Sequence, residues 1–144
     1  MPEQSAVKLN SPEAIERGLA AKTVAIVGLS GDRDSYSYQV GHYLQSQGYR
    51  VIPVNPKEQT ILDETSYPSL RDVPDKVDTV DIFRRPEAIP GIVEEAIEKG
   101  ASVIWMQLGI VSREAAQKAQ DAGLTVVMNR CMKIEHKARH GEGH

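Results

Sequence analysis

The chain is short of the residues that build a stapled or membrane-spanning protein. Its 144 residues include one cysteine, Cys131, one tryptophan and one phenylalanine. A single thiol excludes an intrachain disulfide framework and suits a reducing compartment. No apolar stretch approaches the roughly 20 residues of a bilayer span. The opening MPEQSAVKLN has no secretory core. An excess of one charge is lacking too. The 17 basic and 20 acidic side chains leave a net charge of −3, which argues against a general binder of nucleic acid or of a membrane surface. The composition fits a small cytoplasmic protein. At roughly 100–200 residues per domain, the chain is expected to form one domain over residues 1–144. A domain of this size buries about two thirds of its unfolded surface and needs no metal staple.

Five short apolar runs organise the sequence: TVAIVGL from Thr23, YRVIPVN from Tyr49, VDTVDIF from Val77, ASVIWMQ from Ala101 and LTVVMN from Leu124. All but the third are nearly continuous in apolar character, as strands covered on both faces are. The third alternates more, and this predicts a less covered strand. Helical patterns lie between the runs. Val40, Tyr43, Leu44 and Gln47 share one face before Gly48. Ile89, Ile92, Val93, Ala96 and Ile97 share another before Gly100. Ser112 is a good N-cap for the alanine-faced segment that ends at Gly123. Ser11 and Pro12 open an N-terminal helix over about residues 11–20. A short helix and a polar tail, over about residues 137–144, close the chain. Between Pro56 and Lys76 only SLRDV offers a turn or two of helix.

Alternation of strand and helix predicts an α/β fold: a doubly wound, five-stranded parallel sheet of Rossmann-like type. Strand order 3-2-1-4-5 is favoured, with 2-1-3-4-5 as the alternative. Ligands in such sheets bind beyond the carboxyl ends of the strands. The unusual residues gather there. After the first strand, GLSGDRDSYS has small Gly28, Ser30 and Gly31, hydroxyls at Ser35 and Ser37, and the cation Arg33. It leads into a helix N-terminus, a ready site for an anion. It matches neither GxGxxG nor the P-loop pattern. The second strand ends at Val54, Asn55, Pro56 and Lys57. A nicotinamide site would place a carboxylate there, whereas a neutral Asn55 beside Lys57 suits a phosphorylated ribose. The third ends at Phe83, Arg84, Arg85 and Pro86. Strand alternation lets one of the two guanidinium forks face a phosphate. The fourth offers Gln107 and Gly109, with Trp105 assigned to the core. The fifth leads to Cys131 behind Arg130.

Other features carry less. His136, His140 and His144 are spaced by four, but the terminal HGEGH reads as a frayed tail rather than a metal site. No metal is expected. Asp32 and Asp34 make a poor general-acid pair, and no base–nucleophile pair is evident, so no catalytic residue is assigned.

The blocks VAIVGLS, SYQVGHYLQSQGYRVIPVNP, VDTVDIFRRPEAIP, VIWMQLGI and EAAQKAQDAGLTVVMNRCMKIEH together resemble the small, stand-alone CoA-binding domain family. Its members are similar to the CoA-binding Rossmann domain that opens the α subunit of succinyl-CoA synthetase. The resemblance covers about residues 12–139. It implies CoA bound across the carboxyl edge. Gly28, Ser30 and the segment from Ser35 to Ser37 would line the phosphate turn. Val54, Asn55, Pro56 and Lys57 would lie beside the adenosine. Phe83, Arg84, Arg85 and Pro86 would close the site, and Gln107, Gly109 and Cys131 would follow the pantetheine path. Two positions depart from the family. Ser35 stands where many relatives have Arg or Lys, leaving Arg33 as the nearest arginine. Asn129 stands where relatives often have Asp. The ligase partner domains of the synthetase are absent, so the resemblance implies binding and not ligation.

The expectation is a cytoplasmic protein that binds coenzyme A as a small-molecule nucleotide ligand, with no nucleic-acid or membrane partner. One alternative is a nicotinamide-dependent oxidoreductase or thioester-processing enzyme. Another is a redox module in which Cys131 forms a mixed disulfide with CoA.

Overall fold

The computed structural model describes residues 7–140. Five parallel strands form the sheet: β1 (Thr23–Val27), β2 (Arg50–Val54), β5 (Thr79–Ile82), β6 (Val103–Met106) and β7 (Thr125–Met128). A small hairpin, β3 (Thr60–Ile61) with β4 (Glu64–Thr65), lies between β2 and β5. The helices are α1 (Pro12–Leu19), α2 (Tyr36–Ser46), α3 (Ile89–Lys99), α4 (Arg113–Asp121) and α5 (Met132–His140).

The α/β class and the five-stranded parallel sheet are as the sequence predicts, but the favoured strand order is corrected. The observed order is β2-β1-β5-β6-β7, which is 2-1-3-4-5 when only the sheet strands are counted. The reason lies on the outer edge of β2. There Tyr67 bridges to Val54, its N–H donating to the Pro53 carbonyl at 3.1 Å and its carbonyl accepting from Asn55 at 2.9 Å. The connecting segment thus occupies the edge that a 3-2-1 order would give to the third strand. That strand goes to the centre instead, between β1 and β6. Its expected lower coverage is corrected with it, since all four residues of β5 are buried.

Sequence signals set the boundaries. Ser11, Ser35 and Ser112 cap α1, α2 and α4, each side chain accepting a backbone N–H of the first turn. Gly100 stops α3 in the left-handed region at φ 78°. The helices cover both faces. Ile89, Val93 and Ala96 of α3 and the alanines of α4 share one cluster with Ala25, Val80 and Ile104. On the other face α1, α2 and Met132 of α5 pack against Val24, Ile26 and Trp105. Trp105 is fully buried, as expected, and its indole N–H donates to the Arg130 carbonyl at 2.9 Å. Residues 137–140 of the predicted tail are helical within α5, and His144 lies outside the described residues.

Candidate functional site at the carboxyl edge

From β1 the chain moves outward to β2 and then returns to β5 on the other side. The crevice of such a reversal opens between the ends of β1 and β5, at Gly28 and Phe83. Gly28 has φ 94°. A Cβ there would stand 2.3 Å from the Phe83 carbonyl oxygen and 3.0 Å from Arg84 Cδ. Glycine is therefore required by the chain's own close approach.

The turn that follows is tied by its own side chains. The Ser30 N–H donates to Ser37 Oγ at 3.0 Å. Ser30 Oγ accepts from the Asp32 N–H, also at 3.0 Å. Ser35 Oγ donates to the Asp32 carbonyl at 2.7 Å and accepts from the Tyr38 N–H at 3.1 Å. The hydroxyls shape the turn, and the Tyr36 and Ser37 amides open the helix without intrahelical acceptors. Asn55 is similarly engaged: Nδ2 donates to the Leu29 carbonyl at 2.9 Å, and Oδ1 accepts from the Lys57 N–H at 2.8 Å. It clamps the ends of β1 and β2 together.

On the α3 side of the edge lies a cleft of about 200 Å³, lined by Val27, Val54, Pro56, Pro68, Arg84 and Ala88 among others. Its walls are mostly apolar, and Arg84 and Glu95 bring one charge of each sign to it. Arg85 is exposed like Arg84, but it is not among the residues lining this cleft and stands at the N-cap of the 3-10 turn Pro86–Ala88. On the α2 side a polar hollow of about 430 Å³ holds Arg33, Tyr38 and His42 with Glu58 and Asp63. Two larger depressions, about 520 and 610 Å³, lie at the opposite, amino edge around Arg17, Ala20 and Ser102. Size alone does not select a site; the carboxyl edge holds the strand reversal and a helix N-terminus.

Charge separates the two sides of the carboxyl edge. Among the described residues, Arg33, Lys57, Arg84 and Arg85 form no ion pair, whereas Arg50 is 2.6 Å from Asp75 and Arg130 is 3.6 Å from Glu135. Arg33 shares its side with Asp32, Asp34 and Glu58. On the other side Arg84 lines the cleft with one carboxylate, Glu95, which already accepts from the Arg71 N–H at 3.0 Å, so an anion meets fewer acidic side chains there.

Beneath the crevice lies a group that sequence reasoning missed. Asp81 of β5 is fully buried, and neither carboxylate oxygen has a hydrogen-bond partner. Burial pushes its pKa well above the usual carboxylate range. Gln107 is also buried: its Oε1 accepts from the Met132 N–H at 3.0 Å, and its Nε2 has no partner. Cys131 is 2% exposed. Tyr36, first residue of α2, covers the three. Its ring meets Phe83 edge-on at 6.1 Å. Its hydroxyl is turned inward, its pKa raised by burial first and then by Cys131 and Asp81, with Gln107 opposing. An aspartate inside an apolar strand is the signal that could have found this cluster, because strands avoid aspartate.

Gly109, at φ 85°, donates its N–H to Asn129 Oδ1 at 2.7 Å. Asn129, the position that departs from the family, thus links the β6 and β7 loops. His136 is 2.6 Å from the Tyr43 hydroxyl through Nδ1 and packs edge-on against Tyr49. No group of three metal-ligating side chains occurs among the described residues. No helix there is long and apolar enough to cross a membrane.

Residues 22–137 match the family described as CoA binding domain. The chain belongs to that family. The chain is 38% identical over 133 residues to the uncharacterized protein YneT of Bacillus subtilis, covering 92% of this chain and 96% of that one. Its fold matches the solved structure of a hypothetical protein from Pyrococcus horikoshii with a TM-score of 0.85 and 43% identity, over 89% of this chain and 91% of that one. It is also 30% identical over 128 residues to acetate–CoA ligase [ADP-forming] I of Archaeoglobus fulgidus. That match covers 82% of this chain but 19% of the ligase.

Proposed function

We propose that this CoA-binding domain binds coenzyme A, or an acyl-CoA, across the carboxyl edge of its sheet, between the ends of β1 and β5. The observation that carries the reading is convergence. An apolar cleft wide enough for an adenine, cations without carboxylate partners and the open first turn of α2 meet at one strand reversal. The adenine enters the cleft between Val54, Pro56 and Ala88. Lys57 and Arg84 take the 3′-phosphate, because the Asp32, Asp34 and Glu58 side would repel it. The pyrophosphate crosses Gly28 toward the Tyr36 and Ser37 amides. The pantetheine arm then runs past Phe83 toward Gln107, Gly109 and Cys131. The function is binding; ligation is assigned to no residue here. No observation favours the nicotinamide or mixed-disulfide readings, since the Asn55 side chain is spent on Leu29 and Lys57.

Calorimetry tests the reading. CoA is expected to bind saturably and NADH not to. Dephospho-CoA should bind more weakly than CoA by about 1–3 kcal/mol, the worth of a charge-assisted contact. No saturable CoA binding would overturn the function, and equal affinities for CoA and dephospho-CoA would remove the 3′-phosphate contact.

A further inference from the structure

We propose that the buried cluster of Asp81, Gln107 and Cys131 beneath Tyr36 takes the thioester carbonyl of an acyl-CoA, so that the protein prefers acylated to free coenzyme A. The inference rests on the CoA-binding reading and adds the class of ligand.

Three buried polar atoms lack a partner among the described residues, Oδ1 and Oδ2 of Asp81 and Nε2 of Gln107. Unpartnered polar atoms at such depth cost stability, and here they are gathered on one face of the sheet. Register places Asp81 beside Ile26 and Trp105, so no neighbouring strand offers it a donor or a cation. Gln107 follows two residues after Trp105 and faces the same way. Both lie where the pantetheine arm ends.

Asp81, while it carries its proton, offers one O–H donor, and the Gln107 amide offers N–H donors. Two donors on one face of the sheet match a carbonyl oxygen, which has two lone pairs. A thiol is a weak donor and a weak acceptor and cannot answer both. The free end of CoA is therefore a poor occupant, and a thioester is a good one. The acyl group beyond the carbonyl needs an apolar lodging. The exposed large apolar side chains are Tyr36, Leu108, Val111 and Ile134 among the described residues. Leu108 adjoins Gln107, Tyr36 covers the cluster, and Ile134 lies three residues after Cys131. Rotation of the Tyr36 side chain uncovers the cluster without moving the sheet.

The test is calorimetry at pH 7 with CoA, acetyl-CoA and butyryl-CoA on the wild-type chain and on Asp81→Asn and Asp81→Leu. The wild type should bind both acyl-CoAs about tenfold more tightly than CoA, the gain from one recovered hydrogen bond. Asp81→Asn keeps an N–H donor and should keep the preference; Asp81→Leu should abolish it while still binding CoA. Equal affinities in the wild type, or a preference that survives in Asp81→Leu, overturn the proposal. If no CoA compound binds, the parent reading fails instead. Should Asp81→Leu not fold, the infrared band of carbonyl-labelled acetyl-CoA on the wild type decides. A shift to lower frequency than in water supports two donors, and an unshifted or higher band overturns them.

Discussion

Asp81 sits in a strand whose other members, Thr79, Val80 and Ile82, are as buried as itself. Burial raises its pKa in the folded chain above the unfolded value near 3.8. Between those two values the folded chain holds a proton that the unfolded chain has released. Stability therefore falls as pH rises from about 4 toward the raised pKa. Removing the carboxyl removes this penalty. Asp81→Leu is expected to be more stable than the wild type by about 1–3 kcal/mol at pH 7. The advantage should narrow toward pH 4, because below the unfolded pKa the wild-type carboxyl becomes neutral in both states. Urea midpoints at the two pH values check this, and an advantage that does not change with pH would mean that Asp81 does not titrate differently on folding. Stability surrendered at one buried position is common at functional sites. The same residue misled the reading of the sequence. Asp78 and Asp81 make VDTVDIF look half-solvated, and only tertiary placement shows that the second aspartate points into a dry face while the first accepts from the Lys22 and Thr23 amides.

Among the elements, strands and helices were legible because burial on two faces writes continuous apolar runs and caps write serines and glycines at fixed offsets. Strand order was legible too, but through Pro53 alone. A proline in a strand lacks an N–H and belongs at an edge, and an edge position for β2 excludes 3-2-1-4-5. The β3–β4 hairpin was hidden because Leu62 and Asp63 turn with φ 56° and 63° without a glycine to announce it. At the site, the cleft residues Val54, Pro56 and Arg84 were legible as strand ends. The internal duties of Ser35, Ser37 and Asn55 were not, because polar turn residues look alike whether they meet a ligand or the chain. The packing of α1 on the sheet turns on one small residue. A Cβ on Gly18 would meet the Trp105 ring at 2.6 Å. Alanine normally stabilises a helix interior relative to glycine by up to about 1 kcal/mol. Here overpacking reverses the sign: Gly18→Ala should cost about 1–3 kcal/mol, read as a lower denaturant midpoint with a changed near-ultraviolet signal from Trp105.

At the scale of the whole molecule, a net charge of −3 does not show which single cations are paired. Several cations elsewhere are paired: Arg17 with Glu13, Arg71 with Glu98 and Lys118 with Glu94. Those pairs are exposed and contribute little to stability. At the carboxyl edge Lys57, Arg84 and Arg85 are unpaired, so the free protein gains nothing from them there. On the proposed reading they gain phosphate partners when CoA binds, and this couples ligand to fold. A ligand at 100 times its Kd stabilises the folded state by about 2.7 kcal/mol. For a chain of this size that corresponds to a rise in Tm of roughly 5–10 °C. Saturating CoA is expected to give such a rise. At a fixed CoA concentration the rise should shrink as salt is added, since the screening length falls from about 10 Å at 0.1 M to about 3 Å at 1 M. Arg84→Ala should lower both the rise and its salt dependence, because a phosphate partner is lost. A rise indifferent to salt would place the ligand away from these cations, and the charge separation at this edge would then serve something other than CoA.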